Sequence, residues 1–534
     1  MNILLINIPS RKGIGGLVLP LGLLYVGGII ERCGHKANIV DTYLYDLEVR
    51  GFDSGDFDNI GIAIRQFKPA IIGYGGIATS YGRTKIVSNY IKNNYPDILQ
   101  IAGGALASVS DLLLTKTKVS IVFHGEVERS LPIFLECILK KASIFDTPGI
   151  SYLSNGKVIR NSPAEQIKNL DDIPFPAYHL VNLKKYLLNK EDWAIANSNI
   201  IKNNPFYADV MKKIKRNKYC CFIITSRGCT HKCLFCYRHF QGIRQHSIQY
   251  TIKHIKYIKE NYGVNGFQFA DELFNSNPKW VIDFCNAIEK ENLNIFYMIG
   301  ARIDKIDKNM LQCLRDTGCI EINYGQESGS DTILKEYGKG VTAEQNKDIT
   351  ALTKSMGIIS TVQIVIGSPS ETNSTIAETI RFLKSLNAHQ YSLNYLIPLP
   401  ETPIWKYVLE NNLINDVEKY LDLVAKHGGI PLINLTKTDD KIWRTWYSII
   451  QKEQELFYYK KTGEKIIYVY KLIYFFLVNR LIFFMPRWLV NHVKFIQKKL
   501  EFKGFNVVKS TEITEMALGE GVGRHAECQE KVET

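Results

Sequence analysis

The amino-acid sequence predicts an α/β protein: an N-terminal doubly wound parallel sheet over 1–144, a partial (β/α)6 barrel over 219–404, and a helical C-terminal region. Three observations carry this expectation. Short apolar runs alternate with helix-period segments through the first 144 residues. The same alternation restarts near Cys220 and supplies six strand–helix units before residue 404. From 405 onward the pattern becomes helical and aromatic.

In chain order, Met1–Ile8 (MNILLINI) is a continuous apolar strand, followed by a Gly/Pro loop and a helical run at Leu21–Arg32. Strands follow at His35–Asp41, Ala70–Tyr74, Ile98–Ala102 and Ser120–His124, with a helix at Thr84–Asn94. Apolar strands separated by helices mark a parallel sheet covered on both faces, with its ligand at the carboxyl ends of the strands. A connector spans 145–218; Asn155-Gly156 predicts a hairpin between Ile150–Tyr152 and Val158–Arg160. The barrel strands are expected at Cys221–Thr225, Gly266–Ala270, Ile295–Ile299, Glu321–Tyr324, Thr361–Ile366 and Tyr391–Leu396. Helical segments at Tyr250–Tyr262, Lys279–Glu291, Asn309–Thr317, Ala343–Met356 and Ser374–Leu386 separate them. Six units are more economically closed as a barrel than as a small open sheet, and polar residues cluster where a barrel keeps its active site.

With 534 residues, 46% apolar and 22% charged, the chain is long enough for a native core, and its composition excludes wholesale disorder or a collagenous repeat. The net charge of +13 is regional. Residues 441–509 carry 14 basic and 4 acidic residues, while 510–534 carry 2 and 6. Eleven cysteines are an odd number, and the apolar stretch at 16–30 is broken by Pro20 and glycines, unlike a secretory signal. A reducing, cytoplasmic location is expected, where clustered cysteines suggest metal or catalysis rather than bridges.

Such a cluster lies at Thr225–Arg238 (TSRGCTHKCLFCYR), where Cys229, Cys233 and Cys236 form C-x3-C-x2-C directly after a strand. Three adjacent thiolates suit a soft metal centre. A cubic iron–sulfur cluster held by three cysteines keeps one iron open, the logic that separates catalytic from structural sites. Arg227, Lys232 and Arg238 are expected to favour thiolates and offset cluster charge. The alternative is a zinc knuckle completed by His231 or His239 in a nucleic-acid-binding protein. The other eight cysteines read as small apolar residues.

The triad, with Phe235 between its last two cysteines, resembles the radical S-adenosylmethionine (SAM) enzymes. That resemblance implies a 4Fe–4S cluster on Cys229, Cys233 and Cys236 whose open iron is chelated by SAM, and reductive cleavage to a 5′-deoxyadenosyl radical. It further implies an external electron donor such as flavodoxin or ferredoxin. Successive strand exits fit the same family. In FQFADELF, Asp271 or Glu272 would meet the SAM amino group; in GARID, Arg302 its carboxylate; in GQESGS, Glu327 the ribose; in IGSPSE, Gly367 the adenine; PLPETP follows the sixth strand.

The first domain resembles the cobalamin-binding domain found before such barrels, through PLGLL, GHKANIVD, HGEVE and the pair Gly103-Gly104, and the resemblance implies cofactor contacts at Gly75, Gly76, Gly103 and Gly104. Two departures stand out: Pro9–Gly22 holds no Asp-x-His-x-x-Gly motif, and Tyr74–Gly76 stands where a serine is expected. The resemblance over 1–405 implies a cobalamin-dependent carbon methyltransferase acting on a small or lipid-like substrate, or an oxidative cyclase of the anaerobic magnesium-protoporphyrin ester type. Residues 441–509 add 17 aromatics, and Ile466–Trp488 is interrupted by Lys471, Asn479, Arg480 and Pro486. They read as a helical cap, as a peripheral membrane contact at the inner face, or, least in keeping with the motifs, as a nucleic-acid surface. The Gly/Glu-rich tail 510–534 reads as mobile.

Overall fold

The computed structural model describes residues 1–8, 18–42, 54–189, 219–238, 240, 242–386, 390–427 and 432–462. The expectations for 9–17, 190–218, His239, Ile466–Trp488 and the tail 510–534 lie outside the described residues.

The first sheet contains β1 (Asn2–Asn7), β2 (Lys36–Asp41), β3 (Ile71–Gly75), β4 (Leu99–Ala102), β5 (Ile121–Phe123), β6 (Ile150–Ser154) and β7 (Lys157–Arg160), in the order β2-β1-β3-β4-β5-β6-β7. The first five are parallel, and the order turns back between β1 and β3. At such a switch point the loops leaving adjacent strands diverge and open a crevice for a ligand. The predicted hairpin β6–β7 joins this sheet antiparallel to β5, so the sheet runs past the expected boundary at 144.

Helices α1 (Leu21–Arg32), α2 (Ser54–Phe67), α3 (Tyr81–Asn94), α4 (Ser110–Lys116) and α5 (Val127–Leu139) cover its faces. Helix α2 departs from the sequence expectation, because Gly61 and the acidic residues dilute its apolar period. Ile60 and Ile64, one turn apart and buried, are enough to dock it.

The second sheet carries a short antiparallel edge strand β8 (Leu188–Asn189) and six parallel strands: β9 (Tyr219–Ile223), β12 (Gly266–Phe269), β13 (Phe296–Ala301), β14 (Cys319–Glu327), β15 (Ile359–Ile366) and β16 (Gln390–Tyr395). They pair in sequence order, as a partial barrel requires. The remaining pair, β10 (Ser226–Arg227) and β11 (Arg244–Gln245), is antiparallel and closes the neck of the cysteine loop. Around the sheet run α6 (Ile248–Tyr262), α7 (Pro278–Lys290), α8 (Lys308–Asp316), α9 (Asp331–Glu336), α10 (Ala343–Ser355) and α11 (Asn373–Leu386). Side-chain caps from Ser247, Asn277, Asp307 and Thr342 start four of them.

The connector binds the two sheets together. Its 174–180 segment passes over α1, where Gly27 and Gly28 remove the side chains that would obstruct it. A Cβ at Gly28 would stand 3.0 Å from the Phe175 carbonyl oxygen, and the Ala177 amide donates to the Leu24 carbonyl at 3.0 Å. On its far side Phe175 stacks on His254 of α6, and the Tyr178 hydroxyl pairs with His254 Nε2 at 3.0 Å. One buried apolar cluster therefore runs from Ile3 and Leu5 of the first sheet to Phe267 and Tyr297 of the second.

After the barrel, α12 (Pro403–Glu410) and α13 (Val417–His427) return to the first domain. Leu421 and Val424 enter its core, and the Tyr81 hydroxyl donates to Glu418 at 2.9 Å. The compact unit thus runs from Met1 to Thr438, and 405–438 packs with it instead of opening a separate C-terminal region. The second unit, from Asp439, is described over α14 (Asp440–Thr462). Among the described residues no helix is long and apolar enough to cross a membrane.

Close passage over α1 makes Gly28 sensitive. Gly28→Val should cost about 1–3 kcal/mol through overpacking against backbone, read as a lower denaturant midpoint with unchanged slope.

Candidate active site

Every candidate residue lies at the carboxyl edge of one of the two sheets. The cysteine loop leaves β9 and is held first by Asp271, which follows β12. The Asp271 carboxylate accepts hydrogen bonds from the Thr225 amide (2.8 Å), the Thr225 hydroxyl (3.1 Å), the Ser226 hydroxyl (2.6 Å) and the Ser226 amide. Burial pushes Asp271 up to about 6, and these donors oppose that rise. Of the two carboxylates named for a ligand, Asp271 is half-buried and committed to the cysteine loop, and Glu272 lines a cavity.

Beyond the β10–β11 neck, Gly228 has φ +89°, and a Cβ there would lie 2.2 Å from the Gly242 carbonyl oxygen. Only glycine satisfies both demands. The far end of the loop is tied to later barrel segments: the Leu234 amide donates to the Tyr337 carbonyl (3.2 Å) and the Ile404 amide to the Leu234 carbonyl (3.0 Å). Phe235 packs edge-on against Tyr337 at 5.2 Å.

Within the loop, Cys233 is buried, Cys229 half-buried and Cys236 exposed. A hydrogen bond with Cys236 holds the Cys233 thiol below its ordinary range and pushes Cys236 up, while burial raises Cys229. Among the described residues no three His, Cys, Asp or Glu side chains converge as ligands of a single ion. A cubic cluster instead takes each thiolate at a separate corner, and three neighbouring sulfurs supply that donor set.

Around the loop, Arg302 follows β13. Its Nε donates to Asp304 (3.0 Å), Nη2 to the Lys339 carbonyl, and Nη1 is buried without a partner. A buried guanidinium donor left open fits an incoming carboxylate. Glu327 sits at a β-bulge with φ +66°, a re-aimed, strained position for a non-glycine residue. Its carboxylate pairs with Lys339 at 3.1 Å. Gly367, at φ +94°, donates its amide to Glu371, which burial drives up to about 8.

The second assembly is a cavity of about 520 Å³ at the switch point of the first sheet. Gly75, Gly76, Gly103 and Gly104 line it from the sheet, Tyr25 from α1, and Arg227, Phe240, Ala270 and Glu272 from the barrel side. Its surface is mostly apolar, as sites for large planar ligands are. Gly22 and Gly125 also line it, and a Cβ at either would meet nothing within 4 Å, so packing does not require a glycine there. Gly75 and Gly76 have a packing reason instead: a Cβ would meet Leu23 or Ser80 side chains at 2.6 Å.

Arg227, expected to offset cluster charge, is committed elsewhere. It pairs with Glu126 (3.0 Å) and Glu128 (2.7 Å) of the HGEVE segment, and Arg244 pairs with Glu126 at 2.8 Å. Burial pushes Glu126 up, but hydrogen bonds from both arginines outweigh it and hold the carboxyl below its usual range. Lys339 and Arg302 are the cations that act on Cys233. Sequence reasoning missed Lys339, whose visible signal was its place between Gly338 and Gly340, both at positive φ.

Residues 223–383 match the family model of the Radical SAM superfamily, which sets aside the zinc-knuckle reading. An uncharacterized methyltransferase of Pyrococcus horikoshii is 27% identical over 423 residues, 78% of this chain and 84% of that relative. The anaerobic magnesium-protoporphyrin IX monomethyl ester cyclase of Rubrivivax gelatinosus is 24% identical, over 79% of this chain and 72% of the cyclase. Among solved structures, the radical S-adenosylmethionine methyltransferase TsrM of Kitasatospora setae, with cobalamin and a 4Fe–4S cluster bound, superposes with a TM-score of 0.60 at 16% identity. The match covers 77% of this chain and 78% of that one.

Two substitutions probe the assembly. Gly228→Ala should strain the loop and lower iron uptake on anaerobic reconstitution, read by iron analysis. Glu126→Gln removes the buried anion shared by the half-buried Arg227 and Arg244, of which Arg227 keeps Glu128, and should destabilise the fold by about 1–3 kcal/mol, measured by chemical denaturation.

Proposed function

We propose that this chain, a radical SAM enzyme, binds a 4Fe–4S cluster, SAM and cobalamin, and methylates an unactivated carbon of a small or lipid-like substrate. The observation that carries the reading is the shared wall of the cavity. Its glycine-rich side belongs to the switch point of the first sheet, and its other side, through Arg227, Ala270 and Glu272, belongs to the neck of the cysteine loop and to the exit of the neighbouring barrel strand β12.

Cys229, Cys233 and Cys236 would hold the cluster, and the glycine-lined cavity would hold the corrin. When bound, the cluster supplies the electron that cleaves SAM to a 5′-deoxyadenosyl radical, and cobalamin supplies a methyl carrier. Arg302 would pair with the SAM carboxylate through its open Nη1, Glu272 with the amino group, Glu327 with the ribose, and the Gly367 turn would lie against adenine. Asp271 holds the loop in place, Phe235 wedges it against Tyr337, and the apolar cavity wall excludes water. The reductant would be a small electron-transfer protein such as flavodoxin or ferredoxin.

Oxidative cyclisation is the second reading, favoured by the similarity to the Rubrivivax cyclase over 79% of the chain. Methyl label from SAM recovered in the product supports the first reading, and its absence alongside a newly closed ring supports the second.

Anaerobic reconstitution of the whole chain should load about four irons. Cys233→Ala should lose the cluster spectrum and all 5′-deoxyadenosine formation, and deoxyadenosine formed at the wild-type rate by that variant would remove the assignment. Cobalamin should co-purify in stoichiometric amount after growth with the vitamin, read from its visible spectrum.

A further inference from the structure

The Tyr337–Gly340 segment is packed directly on the cysteine loop. The Tyr337 carbonyl accepts from Leu234, and the space beside Gly338 is bounded by the Lys232 carbonyl at 3.4 Å. Gly338 and Gly340 both adopt left-handed backbone, φ +68° and +66°, so the chain turns sharply on either side of Lys339. That turn carries Lys339 inward. Its side chain is 6% exposed, its ammonium lies 3.1 Å from the Glu327 carboxylate, and its own carbonyl accepts from Arg302.

A lysine is costly to bury, and one carboxylate partner offsets that cost only in part. The turn that carries Lys339 stands against the residues on either side of Cys233, through Gly338 beside the Lys232 carbonyl and Tyr337 on the Leu234 amide. Two buried charges of opposite sign are thus set next to the stretch of loop that holds Cys233.

Resting on the function proposed above, we propose that Lys339 and Glu327 form an electrostatic couple that sets the reduction potential of the cluster. Lys339 is the member that favours the reduced state. Reduction adds one electron, from the external one-electron donor, to a centre already made negative by three thiolates. A buried cation nearby stabilises the added charge, and a buried anion opposes it. Lys339 is a positioning residue in this role and touches no reacting atom.

The test is a redox titration, monitored by electron paramagnetic resonance, of anaerobically reconstituted full-length protein without SAM. Lys339→Met should shift the midpoint potential to more negative values, and Glu327→Gln should shift it the opposite way. The double variant should return toward wild type, and Lys339→Arg should stay close to it. A Lys339→Met protein with full iron content and an unshifted potential overturns the proposal. So does loss of the cluster in both Lys339→Met and Lys339→Arg, which would make the residue structural. A wild-type chain that takes up no cluster is a different failure, because it removes the radical SAM reading itself.

Discussion

The carboxylate of Asp271 organises the site. Four donors from Thr225 and Ser226 converge on it, so the end of β9 cannot move without stripping a half-buried carboxylate of its partners. An acceptor withdrawn from water is costly to leave open, which fixes the geometry at the start of the loop. The β10–β11 neck, the left-handed turn at Gly228 and the ties from Leu234 to Tyr337 and Ile404 extend that order to the three cysteines. The loop crosses the barrel mouth as a strap fixed at both ends.

A second constraint joins the sheets. Arg227 and Arg244 share Glu126, and Glu128 completes the network beneath Phe240, whose ring lies 5.4 Å from the Arg227 guanidinium. Ion pairs withdrawn from water in this way add little net stability, because desolvation offsets much of their attraction. Here they place the HGEVE segment of the first domain against the neck of the cysteine loop. The connector over Gly27 and Gly28 and the return of α13 make the same junction from two further directions. The cavity is therefore bounded by two sheets held in one compact unit.

Much of this was legible in the sequence. Parallel strands buried on both faces read as apolar runs, so all five parallel strands of the first sheet and all six of the barrel were placed to within a few residues. The triad was legible because thiolate spacing is local. Helix α2 was hidden by its glycine and acidic residues, and the α12–α13 return by its unremarkable composition; tertiary docking of a few apolar side chains decides both.

Residue order alone determined the strand–helix alternation, the C-x3-C-x2-C spacing and the glycine pairs at strand ends, because each depends on neighbours in the chain. Tertiary structure decided which charges face the cysteines. Arg227 adjoins the triad in sequence yet is bound to Glu126 and Glu128, whereas Lys339, remote in sequence, is turned inward on the segment packed against Lys232 and Leu234. Asp271 and Glu272 are likewise adjacent, but one anchors the cysteine loop and the other lines the cavity. Coulomb interactions act through space, and the partners of a buried charge are chosen by the fold.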